Sequence, residues 1–194
     1  MRSAVGQIEK TYLSFRPRPA GNYTIGQLSK AAAYTLFCHS EIEGFLEAWA
    51  SLFTSKADDY WRSQKITRPL LHLCTFHGGR GELKNIPSKD IWSEIVVESI
   101  RKHQRIITSN NGIKEQDVAR MFSPIGFDTR TLDAILLSDL SSFGTLRGGH
   151  AHRAHNAQLA IIFDPFDRRQ KVLNLLNLLQ VFDSQLLAYK DECF

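Results

Sequence analysis

Cysteine is scarce in this 194-residue chain: only Cys38, Cys74 and Cys193 occur, an odd number with no CxxC pair. That count excludes a disulfide framework, and Cys38 sits in an apolar helical run, so reduced thiols in a reducing compartment are expected. No apolar run approaches the roughly 18 residues that a membrane span requires, and no membrane partner is expected. The opening "MRSAVGQIEK" carries no apolar core of a signal peptide, so the expected location is cytoplasmic. A charge excess of one sign is also missing: 24 basic against 20 acidic residues leave a net +4, too mild by itself to indicate nucleic acid.

Strand-like alternation, internal repeats and low-complexity linkers are absent as well, and what is present is helical periodicity. Val5, Ile8 and Tyr12 suit a short leading helix before the breaker "FRPRPAGN", so residues 1–23 are read as an arm or short helix and 24–194 as one helical domain. Thr24 and Gln27 stand at capping-box spacing ahead of Leu28, Ala32, Leu36, Ile42, Phe45, Leu46, Trp49 and Phe53, which predict a long helix over about 24–53. A further helix over 55–70 is expected to end or kink at Pro69. Ser88 is positioned to cap a helix whose Trp92, Ile95, Val96, Ser99, Ile100 and His103 share one side. Asn111-Gly112 offers left-handed residues for its terminus. A short helix "KEQDVARMF" follows, then one capped by Asp128, then a last helix over about 168–190 with a stripe of Leu173, Leu176, Leu179 and Leu187. The expectation is an all-α bundle.

Three of the seven histidines fall within "FGTLRGGHAHRAHN", residues 143–156. Zinc is a weak reading: His150 and His152 do not share a helical face, and neither HExxH nor finger-type spacing is present. A solvated helix start bent at Gly148-Gly149 is the plain alternative. The pair Arg147 and His152, separated by "GGHA", points elsewhere. RNA carries its own nucleophile in the 2′-hydroxyl, so cleavage needs alignment, proton transfer and charge stabilisation. A guanidinium grips phosphate oxygens bidentately, and an imidazole with a pKa near 6.5 moves protons at neutral pH. The scheme requires no metal and no cofactor. Glycines beside the arginine let a phosphodiester backbone approach closely, and Arg147, Arg153, Arg168, Arg169 and Lys171 give this region a local basic excess.

Arg147–x4–His152 resembles the Rx4–6H motif of the HEPN superfamily, with Ala151 matching the common "AH" ending. "AAAYTLFCHSEIEGFLE" resembles the first core helix of the RiboL-PSP-type HEPN domains, with Glu43 at an acidic position. "NNGIKEQDVARMFSPIGFD" and "LDAILLSDLSSFGTLRGGHAH" resemble the segment that runs into the motif. The similarity covers roughly residues 24–190. It implies a HEPN-type helical bundle that forms a homodimer, with Arg147 and His152 of both protomers facing one cleft. It further implies a metal-independent endoribonuclease acting on single-stranded RNA in bacterial defence or a toxin–antitoxin system, with an antitoxin or defence-system partner. The alternative is a non-catalytic HEPN module that binds RNA or protein. One departure stands out: the position after the arginine, Asn, Asp or His in many such motifs, is Gly148, and His150 is the residue that can stand in for its polar support. Glu43 has two readings, orienting Arg147 across the bundle or serving as a surface carboxylate.

His39 and Glu43, four residues apart, suit an ion pair. "HGGRGE", residues 77–82, lacks the Lys-Ser/Thr end of a P-loop and reads as a loop touching RNA through Arg80. The scattered acids show no two-metal pattern, and Trp92 is expected in the core.

Overall fold

A computed structural model describes residues 1–19, 22–78, 89–152 and 164–194, with the backbone alone at 89–90 and 147–152. Among the described residues the secondary structure is all-α: α1 (Arg2–Tyr12), α2 (Ile25–Arg62), α3 (Arg68–His77), α4 (Lys89–Thr108), α5 (Glu115–Phe122), α6 (Ala134–His152) and α7 (Pro165–Cys193), with two short 3-10 turns and no strand. No helix among them is long and apolar enough to cross a membrane. The chain divides into two compact units. The first comprises Met1–Phe45, Gly112–Glu115 and Asp133–Phe182, and the second Leu46–Asn111, Gln116–Leu132 and Asp183–Phe194.

In the first unit, the expected capping box starts α2. The Thr24 N–H donates to Gln27 Oε1 at 3.0 Å and the Gln27 N–H to Thr24 Oγ1 at 3.3 Å, which satisfies two donors the helix cannot satisfy itself. Ala31, Tyr34, Cys38 and Ile42 form the buried row of this part of α2, and Val172, Leu175, Leu176, Leu179 and Phe182 that of α7. Helix α1 is fastened to α7 by polar contacts. Arg2 donates to Asn177 Oδ1 at 2.7 Å and Gln180 Oε1 at 3.0 Å, and Arg169 Nε reaches Glu9 Oε1 at 2.8 Å. The irregular stretch between α1 and α2 is anchored by aromatic rings. Phe15 packs edge-on against Tyr23 and Phe166, and the Tyr23 hydroxyl meets Asp164, which caps α7 through the Phe166 N–H at 2.7 Å.

The second unit packs the rest of α2 with α3, α4, α5 and the end of α7. Leu46, Ala50, Phe53 and Ala57 are fully buried, together with Leu73, Val118, Met121, Phe122 and Leu186. The Tyr189 hydroxyl donates to the Ile125 carbonyl at 2.8 Å, which satisfies a phenol inside the core. Gly126 has φ +84, and an added Cβ there would run into the His72 ring, so the turn requires glycine on both counts.

Four local expectations change. Helix α2 runs on to Arg62 and ends in a Schellman turn: the Lys65 N–H reaches the Tyr60 carbonyl and the Gln64 N–H the Trp61 carbonyl, both at 2.8 Å. Gln64 occupies the left-handed position at φ 60. Pro69 therefore lies in the first turn of α3, behind the Thr67 cap, where its missing N–H costs nothing. Asn111 and Gly112 do not adopt the left-handed conformation. Of the expected leucine stripe of α7, Leu176 and Leu179 are buried, but towards its end the inner row shifts, leaving Leu187 47% exposed while Leu186 is buried. Trp92 is 36% exposed and lines an apolar cavity of about 390 Å³ with Trp61, Ile66, Leu71 and Cys74, outside the core position expected of it.

Candidate functional site

Helix α6 carries the Arg147–His152 segment, and its start is set by Asp133, whose Oδ1 accepts the Ile135 N–H at 2.7 Å. Asp128 caps the preceding 3-10 turn instead, accepting the Arg130 N–H at 3.1 Å and its guanidinium at 2.8 and 2.9 Å. The Arg130 hydrogen bonds hold the Asp128 carboxyl down at about 2. Leu136, Leu140 and Phe143 form the buried row of α6. Gly144 lets Ile113 and Lys114 approach closely, since a Cβ there would lie 3.1 Å from Lys114 Cγ.

Helical register fixes how the motif positions relate along α6. Position 147 follows 143 by one turn and 150 follows 147 by three residues, so 147 and 150 continue the row begun by Leu136 and Phe143. At 3.6 residues per turn, positions 147 and 152 stand about 140° apart around the axis, and Gly148, four residues before 152, lies on the same face as 152. The motif arginine thus shares its helical face with His150 rather than with His152.

The row that leads to Arg147 is met by α2. His39, 1% exposed, stacks its ring on Phe143, with centroids 6.2 Å apart and planes at 26°. Glu43, one turn further along α2, places Oε2 3.8 Å from His39 Nδ1, with its side chain 14% exposed. Glu43 is therefore a half-buried carboxylate beside the α6 contact, not an open surface one, and the i,i+4 pairing read from the sequence is present.

The basic excess is distributed unevenly. Arg169 is engaged by Glu9, and Arg168 is half-buried, with burial pulling its guanidinium below its usual range. Lys171 is exposed and opens onto a cavity of about 250 Å³ bounded by α6 and α7, whose polar groups are Asp139, Ser142, Lys171 and Asn174. Its wall ends at Leu146, the residue before Arg147. Sequence reasoning flagged Lys171 but missed Asp139, Ser142 and Asn174. The one signal for them was their three- and four-residue spacing with Phe143, Leu146, Lys171 and Leu175 on two helices. Arg80 and Arg153, the remaining expected RNA contacts, lie outside the described residues.

Compared with family models, curated proteins and solved structures, the chain finds no match in any of the three.

Proposed function

We propose that the chain is a metal-independent endoribonuclease of HEPN type that cuts single-stranded RNA from its own 2′-hydroxyl. The observation that supports this reading is that positions 147 and 152 both fall in the last turns of one helix, α6, whose inner row is packed by His39 beside Glu43. Arg147 holds the scissile phosphate and offsets the charge that builds on its oxygens. An imidazole takes the proton of the attacking 2′-oxygen. The new O–P bond closes a 2′,3′-cyclic phosphate, and the 5′-oxygen leaves with a proton.

With 147 and 152 about 140° apart on the helix, the two positions do not share one face of α6. Two protomers sharing a cleft supply the missing arrangement: one His152 acts as base and the other as acid, and Glu43 orients the arginine. The proposed protein is accordingly a homodimer, cytoplasmic, with RNA as its substrate and a place in bacterial defence or beside an antitoxin. Gly148, where polar support is common, and the angular separation favour the second reading, a non-catalytic HEPN module that binds RNA or protein.

Cleavage of single-stranded RNA in excess chelator separates the two. Wild type is expected to leave cyclic-phosphate ends, with Arg147→Ala and His152→Ala each slower by about 10²–10⁴-fold. Unchanged cleavage by His152→Ala, or none by wild type on any RNA, overturns the nuclease reading. A monomer at working concentration overturns the shared cleft.

A further inference from the structure

The α6–α7 cavity is the feature that the proposed chemistry leaves without a role. Its volume, about 250 Å³, lies just below the roughly 300–1,000 Å³ of drug-sized pockets and suits one nucleobase. Phe143, Leu146 and Leu175 provide an apolar wall against which a flat ring can lie. The polar groups are not consumed by one another. Asp139 and Lys171 have no ion-pair partner among the described residues. Asn174 ties its Oδ1 to Gln170 Nε2 at 3.0 Å, which leaves the amide N–H groups as its free function.

We infer that this cavity is a guanine-binding subsite, which selects the nucleotide beside the scissile phosphate; the inference rests on the nuclease reading for its place in catalysis. The argument is complementarity. A carboxylate is an acceptor only, able to take two parallel donors, and guanine alone among the four bases presents two adjacent donors on one edge, N1–H and N2–H. A lysine ammonium is a donor only, and O6 and N7 of guanine are both acceptors. Asp139 takes the N1/N2 edge, and Lys171 with the Asn174 amide meets the O6 side. Because Leu146 immediately precedes Arg147 on α6, a base in this cavity lies alongside the turn that carries the motif arginine.

The test is titration of the full chain with the 3′-monophosphates of guanosine, adenosine, cytidine and uridine by calorimetry, together with mapping of cut sites on one single-stranded RNA containing all four bases. Guanosine 3′-phosphate is expected to bind at least tenfold tighter than the other three. Asp139→Asn is expected to erase that preference, and Lys171→Gln to weaken guanosine binding several-fold. Both side chains are at the surface of their helices, and unchanged far-UV circular dichroism confirms that the variants fold. Equal binding of the four nucleotides, or a guanosine preference that survives Asp139→Asn, overturns the subsite. Cuts scattered without regard to guanosine overturn it while leaving the nuclease reading in place. Guanosine binding that depends on Asp139 with no cleavage of any RNA supports the subsite and removes the nuclease.

Discussion

Each unit buries a histidine on a long helix, and the two surroundings are opposite. His39 in the first unit lies against the Phe143 ring with the Glu43 carboxylate 3.8 Å from Nδ1. His103 in the second, 0% exposed, packs against another imidazole, His77, at 5.5 Å between centroids, and Lys102 donates to the His77 carbonyl at 3.4 Å. Burial pushes His103 down to about 4, the His77 charge adds to this, and the Met121 backbone pulls weakly the other way. His77 is lowered by burial and then by Lys102. A buried histidine is thus not one kind of residue: His39 has a carboxylate for a neighbour, whereas His103 and His77 are held below the usual imidazole range, first by burial and then by neighbouring positive charge.

Removing the ring that covers His39 should give the largest effect. Phe143→Ala deletes a side chain only 4% exposed and is expected to cost about 3–5 kcal/mol in denaturant unfolding. A cost under 1 kcal/mol would mean that His39 is not held by this packing. The second test is acid. His103 binds its proton more weakly folded than unfolded, so the unfolded chain takes up more protons between pH 6.5 and 4, and stability falls as pH drops through that window. Between pH 7 and 5 this one group accounts for about 2 kcal/mol. His103→Leu should flatten that part of the pH profile; an unchanged slope would assign the acid sensitivity elsewhere. The smallest effect belongs to the Schellman turn of α2. Gln64→Gly relieves a left-handed residue and is expected to raise stability by about 0.5 kcal/mol, read as a higher midpoint in urea.

The helices were legible where a local chemical signal marks them. Thr24 and Gln27 announced the start of α2, and the apolar spacing in α4 correctly set Val96, Ser99, Ile100 and His103 inward. Signals with two meanings were misread. Proline stops a helix from inside and suits its first turn equally well, so Pro69 marked a beginning rather than an end. Gln64 ended α2 in a conformation that the sequence gives no reason to expect of glutamine. The leucine stripe set Leu176 and Leu179 inward correctly but cannot fix the phase at the end of α7, where Phe182, Leu186 and Tyr189 are equally apolar and face inward in place of Leu187. At the site, Arg147 and His152 are near in sequence, but their positions on α6 point in different directions. The groups that surround the α6–α7 cavity are separated along the chain: Asp139 and Lys171 line one cavity only because both helices border it.

Cys38 is fully buried in the first unit and its thiol is pushed up to about 12, mainly by burial, whereas Cys74 in the second is half-buried on the wall of the apolar cavity. Only the thiolate reacts with an alkylating reagent. The two cysteines therefore act as clocks set to different openings. Cys38 is labelled no faster than its surroundings come apart, while Cys74 records shallower breathing of the second unit, so a labelling time course reads the opening rate of each unit without a probe added to the chain.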